Sequence, residues 1–402
     1  MSTNIHAEQK PLIYQIGKHV KLVDDVIFCK SIIADGKELI TGNESGPLSV
    51  PELKDEKVYI TFKEEVTNFT YTFDGCSALK SIPENLFANN HAVTTFQGTF
   101  YDCSALTSIP ENLFANCPKV TDFSETFHGC EALTAIPEKL FANNPEVTDF
   151  ARTFLRCLKL IAIPENLFAN CPKVTNFGGT FAGCEALTAI PENLFANNPE
   201  VTDFARTFLR CLKLIAIPEN LFAYNPKVTD FTSTFARCEA LTIIPEKIFA
   251  NNSAVTDLSS AFRGCANLTS IPENLFANNP AVINFYGTFC LCSALTVIPD
   301  NLFANCPKVA NFQQSFAYCK ALTAIPTGLF DNNRKVIDYS YTFWGCYALT
   351  GESPYTMIGD KKVHLYERAN YPEHFTTPTG FQDCFYDCTG LTDFAQIPFD
   401  WK

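Results

Sequence analysis

The chain offers few residues that could do chemistry. It has six histidines, His6, His19, His91, His128, His364 and His374, and none shares a repeat position with both a carboxylate and a nucleophile. His364, Glu367 and His374 form a loose H-x-x-E…H set, and metal ligation there competes with a plain surface-loop reading. Cys290-x-Cys292 and Cys384-x-x-x-Cys388 could pair or hold a metal. There is no Gly-rich phosphate loop, nucleophile elbow or Cys/His pair. These absences predict no catalysis, no cofactor and no metal. What remains is binding chemistry. Arg152, Arg156 and Lys159 form a basic cluster beside Ile161, and Arg206, Arg210 and Lys213 repeat it beside Ile215. Apolar spots flanked by cations suit an anionic or mixed ligand, although ordinary surface variation gives the same pattern. These eight residues are the candidate ligand contacts.

The elements that must position them follow from a period. Ile-Pro recurs at Ile109, Ile136, Ile163, Ile190, Ile217, Ile244, Ile271 and Ile298, every 27 residues. A fixed period of that length signals an array of stacked coils sharing one core. Each unit reads as two similar halves, Leu106-Thr107-x-Ile109…Leu113-Phe114 and Val120-Thr121-x-Phe123…Thr126-Phe127. The β-branched runs predict two short extended segments. Pro110-Glu111-Asn112 at a first-turn position predicts a short helical turn in each half. Phenylalanine columns, such as Phe100, Phe127, Phe154 and Phe181, are predicted core. Cys76, Cys103, Cys130 and their successors to Cys346 share one position. Stacked side chains point the same way while a bridge needs opposed Cβ vectors, so buried thiols are expected over disulfides. The Asn or Cys that ends the first half of each unit, from Asn90, Cys117, Asn144 and Cys171 to Cys306 and Asn333, is expected to fill a corner or satisfy turn backbone.

The array is predicted over residues 66–350. Residues 1–65 read as a small β-rich module, with strands expected at Val20–Val23, Val26–Cys29 and Val58–Phe62, that caps the first coil and could also anchor the chain to a larger assembly. Residues 351–402 read as a second cap, in which an excursion over 352–379 precedes a degenerate unit around Cys384–Thr392. The segment Cys130–Phe177 recurs almost whole as Cys184–Phe231, so the array can change length by whole units.

Composition sets outer limits. Thirty Lys and Arg against 43 Asp and Glu leave a net charge of −13, which argues against nucleic acid or an anionic membrane surface as a general partner. No apolar run is long enough to span a bilayer, so no membrane insertion is expected. Met1–Lys10 lacks the apolar stretch of a signal peptide.

The motif F-x-x-C-x-x-L-T-x-I-P followed by V-T-x-F, as in Phe127 to Pro137, resembles leucine-rich repeats of the BspA-like branch found in bacterial surface proteins. The resemblance covers about 70% of the chain. It implies a β-rich α/β solenoid, a right-handed leucine-rich-repeat-like coil array of 27-residue repeats. It also implies a non-enzymatic role in adhesion or recognition, with a protein or glycan partner on a host or cell surface. The place expected is extracellular or at the cell surface. The alternative is a bacteriophage virion component, a fibre or receptor-binding protein meeting other virion proteins, which the missing export signal favours.

Overall fold

The computed structural model describes residues 10–40 and 43–402, so the signal-peptide reading of Met1–Lys10 falls almost wholly outside the described residues. The chain forms two compact units, Met1–Leu187 and Thr188–Lys402, each built from the 27-residue motif.

The first unit opens with strands β1 (Leu12–Tyr14), β2 (Gly17–Val23), β3 (Cys29–Ala34), β4 (Lys37–Glu38), β5 (Leu48–Leu53), β6 (Lys57–Phe62) and β7 (Leu79–Ser81). They make a five-stranded sheet in the order β4-β3-β6-β1-β7 and a β2-β5 pair. Strands expected from Val20 and Val58 are present, but Val26–Phe28 is a 3-10 turn. Asp25 captures that segment: its carboxylate accepts the Ile27 N–H at 2.9 Å, as a capping side chain does. Phe62 of β6 packs on Phe69 (4.7 Å between centroids) and Phe87 (5.7 Å), joining the sheet to the first coil.

From there the coils repeat. Successive coils are joined by parallel bridges between residues 27 apart, Thr95 to Asp122 and Asp122 to Asp149. Backbone bonds such as Phe96 N–H to Asp122 O (3.0 Å) and Phe100 N–H to Thr126 O (2.8 Å) run alongside. The rings form ladders: Phe96 on Phe123 at 5.7 Å and Phe123 on Phe150 at 5.8 Å, both within 6° of parallel. Offset rings at this spacing are favourable beyond the burial of their area, and each buried ring contributes ~1.5–3 kcal/mol.

Polar side chains inside the coils hydrogen-bond to backbone. Thr99 Oγ1 donates to Phe69 O (2.9 Å), Cys103 Sγ to Phe73 O (3.2 Å) and Cys130 Sγ to Phe100 O (3.4 Å). Asn144 Nδ2 reaches Cys117 O at 2.9 Å and Phe114 O at 3.3 Å, so the Asn/Cys corner ties one coil to the last. All 18 cysteines are buried and none is in a disulfide. Burial pushes the Cys117 and Cys171 thiols up to about 12, which leaves them protonated donors.

The second unit repeats this with Asp203–Asp230 and Asp230–Asp257 bridges, Phe289–Phe316 rings at 5.6 Å and Cys319 Sγ donating to Phe289 O at 3.2 Å. It ends differently. After Thr350 the chain leaves as the hairpin β8 (Tyr355–Ile358) and β9 (Lys361–His364), then a 3-10 segment Leu365–Asn370. It rejoins at Gly380, which bridges Asp338, and Phe385 stacks on Phe343 at 5.7 Å. Arg368, only 2% exposed, closes this end. Its guanidinium donates to Phe330 O (2.9 Å), Asn333 O (3.1 Å), Tyr339 Oη (2.6 Å) and Thr356 Oγ1 (3.0 Å).

The expected helical turns do not form. Among the described residues there is no α-helix, so the α component of the anticipated α/β fold is absent. Pro110 to Cys117 instead makes consecutive tight turns, with Leu113 N–H on Pro110 O (3.3 Å) and Ala115 N–H on Asn112 O (3.1 Å). Each half-coil has too few residues to propagate a helix past its costly first turn, and packing on the next coil fixes the chain in turns.

Candidate recognition face

One face of each coil differs from the rest. The core positions scarcely change from coil to coil, whereas the residues just before Thr-Phe and just before Cys change freely. The backbone accounts for this. In every coil both of these positions are left-handed: Tyr71, Glu125, Arg152, Arg206, Ser233, Gln314 and Tyr341 before Thr or Ser, and Asp102, Arg156, Arg210, Arg237, Leu291, Tyr318 and Asp387 before Cys, with φ between 51° and 64°. Glycine fills the same positions elsewhere, for instance Gly98 and Gly345. A side chain in that conformation costs roughly 1 kcal/mol that glycine avoids. Strain of this kind, held coil after coil by bulky Arg, Tyr and Leu, is characteristic of positions kept for their side chains.

In the first unit two of the three candidate cations, Arg152 and Arg156, hold left-handed positions of this face. Arg152 donates to Glu125 at 2.9 Å and Arg156 to Glu131 at 3.1 Å. Arg152 and Arg156 are therefore ion-paired, not bare positive charge. Lys159 is exposed, and Ile161 is 59% exposed on the neighbouring Leu-Thr-x-Ile row. The face also holds residues the sequence reading passed over. Tyr71 Oη donates to Glu125 (2.7 Å), Tyr71 packs on Tyr101 at 5.9 Å and Tyr101 stacks on His128 at 4.2 Å. The hydrogen bond to Glu125, then burial and the Glu125 charge, push the Tyr71 phenol up to about 12. Burial holds the His128 imidazole below its ordinary value against the pull of Asp102 and Glu125.

In the second unit Arg206 and Arg210 are left-handed and exposed, Lys213 is exposed and Ile215 is 61% exposed. Farther along this unit the face turns aromatic. Trp344 packs against Tyr318 (4.8 Å), Tyr341 (5.4 Å) and Tyr386 (6.3 Å), and Arg263 donates to Gln314 at 3.2 Å. The signal that could have found Tyr71, Gln314, Tyr318 and Tyr341 is the exchange of Gly with Arg, Asp or Tyr at two repeat positions, which marks left-handed sites.

Each unit also has a shallow groove, of ≈ 620 Å³ beside Ala142 and Pro145 and of ≈ 590 Å³ beside Ala277 and Pro280. The same Ala, Asn and Pro line both, so these grooves carry little information specific to a coil.

The other anticipated sites separate. His374 lies 3.7 Å from Glu373, while Glu367 accepts the His364 backbone N–H at 3.0 Å. His364 Nδ1 instead meets Ser353 Oγ at 2.9 Å, and that hydroxyl donates to Asp393 at 2.5 Å. This Ser-His-Asp set is no nucleophile: Ser353 is fully buried and its proton goes to the carboxylate rather than the imidazole. It clasps the hairpin to the C-terminal segment. No group of three potential ligands gathers to hold a metal among the described residues, and no helix there is long and apolar enough to cross a membrane.

Comparison with known proteins agrees with the repeat. A family model described as BspA type leucine rich repeat region matches in 6 copies, over residues 58–256 and 159–337. A leucine-rich repeat protein from Bacteroides ovatus is similar at 19% identity, covering 86% of this chain and 87% of its own, with a TM-score of 0.40. A leucine rich cell surface protein from Faecalibacterium prausnitzii is similar at 18% identity, covering 82% and 85%, with a TM-score of 0.31. The APL1 leucine-rich repeat domain shares 14% identity over 72% and 70%, with a TM-score of 0.38. No curated protein matches the chain.

Proposed function

The chain belongs to the BspA-type leucine-rich-repeat family, and on that premise we propose that it is a non-enzymatic interaction protein that recognises a protein or glycan at a cell surface. We place it outside the cell or on its surface, and read the array (66–350) as a right-handed solenoid closed by residues 1–65 and 351–402. The observation that carries the binding role is the column of left-handed residues. A scaffold kept for stability alone would fill those positions with glycine, as it does at Gly98 and Gly345. Here they hold Arg, Tyr, Gln and Leu, which are adaptable contact residues on a rigid frame. Repeat proteins bind through such rows of outward positions. The acidic net charge favours neutral, mixed or basic partners.

The test is binding of the intact protein to immobilised protein and glycan panels. Reversing Arg156 and Arg210 together to Glu is expected to weaken binding several-fold and to change its salt dependence. Reversing Lys119 and Lys308, exposed residues off this face, is expected to leave binding as it was. Equal binding by both double variants would overturn the assignment of the face.

A further inference from the structure

The aromatic end of the second unit's face fits a definite class of ligand. Trp344 stands among three tyrosines, its plane tilted by 48° to Tyr318, 50° to Tyr341 and 74° to Tyr386. These rings come from three successive coils. None belongs to the buried ladders: Tyr318, Tyr341 and Trp344 are half-buried and Tyr386 is 44% exposed.

The rings are held in place before any ligand arrives. Tyr318 and Tyr341 both sit at φ 60°, so their direction is fixed by a strained backbone. Tyr318 lies where a side chain on Gly345 would be, with a Cβ there only 2.8 Å from its ring. Glycine at 345 is thus the seat of the tyrosine. Aromatic groups with two rotatable bonds, already immobilised, lose little entropy on binding.

We propose that this face binds a neutral, linear polysaccharide that lies across the coils, with one sugar residue to each coil. The proposal rests on the interaction reading above and specifies its ligand. Three features support it. A hexopyranose presents C–H faces that pack on aromatic rings, and hydroxyl edges that need donors and acceptors. The phenol hydroxyls of Tyr318, Tyr341 and Tyr386, whose rings pack around Trp344, supply these. The rings of the face also follow the coils: Tyr318 to Trp344 is 4.8 Å and Trp344 to Tyr386 is 6.3 Å, on the scale of one pyranose along an extended chain. Finally, the chain's net charge of −13 and the carboxylates of Asp383 and Asp387 at this end disfavour an anionic polymer.

The test uses the full chain, affinity gels containing neutral β-glucan, mannan or xylan, and titration with the corresponding hexasaccharides read by tryptophan emission. Trp401, the other tryptophan, is 6% exposed, so the reporter is Trp344. One of the three polymers is expected to retard the protein and its hexasaccharide to shift the emission. Trp344→Ala should lose roughly tenfold or more in affinity. Tyr318→Phe, which keeps the ring, should lose less, and Tyr224→Ala, an exposed tyrosine elsewhere, nothing. Thermal unfolding of each variant shows that the loss is not misfolding. No binding of any polymer by the folded wild type, or binding unchanged in Trp344→Ala, overturns the proposal. If Trp344→Ala abolishes capture of a partner from the protein panel while no sugar binds, the face is a protein interface. The sugar inference then fails and the interaction reading stands. Failure of that reading is scored separately, by Arg156 and Arg210.

Discussion

The two units carry nearly the same interior and different faces. In the first, the aromatic residues of the face are tied into charge: Tyr71 bonds Glu125, which also takes Arg152, and Tyr101 stacks on a half-buried histidine. In the second, Tyr318, Tyr341, Trp344 and Tyr386 pack mainly on one another. The ends differ in the same sense. Near the start of the first unit a sheet packs Phe62 on Phe69 and Phe87, whereas near the end of the second a guanidinium takes up the carbonyls of Phe330 and Asn333. The lesson is that the core sets where a face residue stands and leaves its chemistry free. The ends must be solved individually, because there the ladder has no next coil.

The largest expected effects test the ends. Phe62→Ala should destabilise the first unit by ~3–5 kcal/mol, as large-to-small core changes do. Arg368→Met should destabilise the second unit by about 3 kcal/mol or more, since it strands buried carbonyls of Phe330 and Asn333. Hydrogen exchange resolved by segment separates the two. Each variant should lose protection chiefly in its own unit, and equal loss throughout would erase the distinction between them.

A smaller effect, of opposite sign, tests the face. Arg237 is exposed and left-handed at φ 59°. Arg237→Gly should raise stability by up to ~1 kcal/mol, less the entropy glycine returns to the unfolded chain, measured by denaturant unfolding. A loss of stability would mean that the conformation is not strained there.

The smallest effect belongs to His128. Burial holds its imidazole below the ordinary value, so the unfolded chain binds a proton that the folded chain resists. Stability of the first unit should therefore fall as pH drops through the unfolded value of about 6.5 and stop falling below the depressed folded value. His128→Asn should flatten that slope. The second unit has Leu209, Ala236 and Ala317 at the same repeat position and should show no matching slope from it.

Much of the interior was legible in the sequence. The 27-residue period, the phenylalanine columns and the thiol column all follow from spacing, because a stacked coil must repeat its core. The Asn or Cys position was legible as a corner filler, and Asn144 and Cys171 do bond back to the coil before. Helical turns at Pro110–Asn116 were misjudged because Pro and Glu mark the start of a turn without fixing how far it runs. Arg368 as a closing group was invisible, since its partners lie up to 38 residues away on carbonyls that any sequence would supply. On the face, the basic clusters were found by charge alone. Tyr71 and Tyr318 were missed because their significance is conformational, carried by glycines at equivalent positions in other coils, and Trp344 because it stands at a position where Tyr, His, Leu and Ala follow no pattern.

The buried side-chain bonds between coils share one property. Thr99, Cys103 and Asn144 all donate to main-chain oxygens, and none asks which side chain its neighbour carries. In its interior, a coil therefore accepts any other coil of this array as its predecessor. Unequal crossing-over within the gene can add or delete coils without spoiling these interior contacts, and the near-identical stretches Cys130–Phe177 and Cys184–Phe231 have the form such an event leaves. Reach along a ligand can then be lengthened by copying, while each new copy is free to diverge on its outward side.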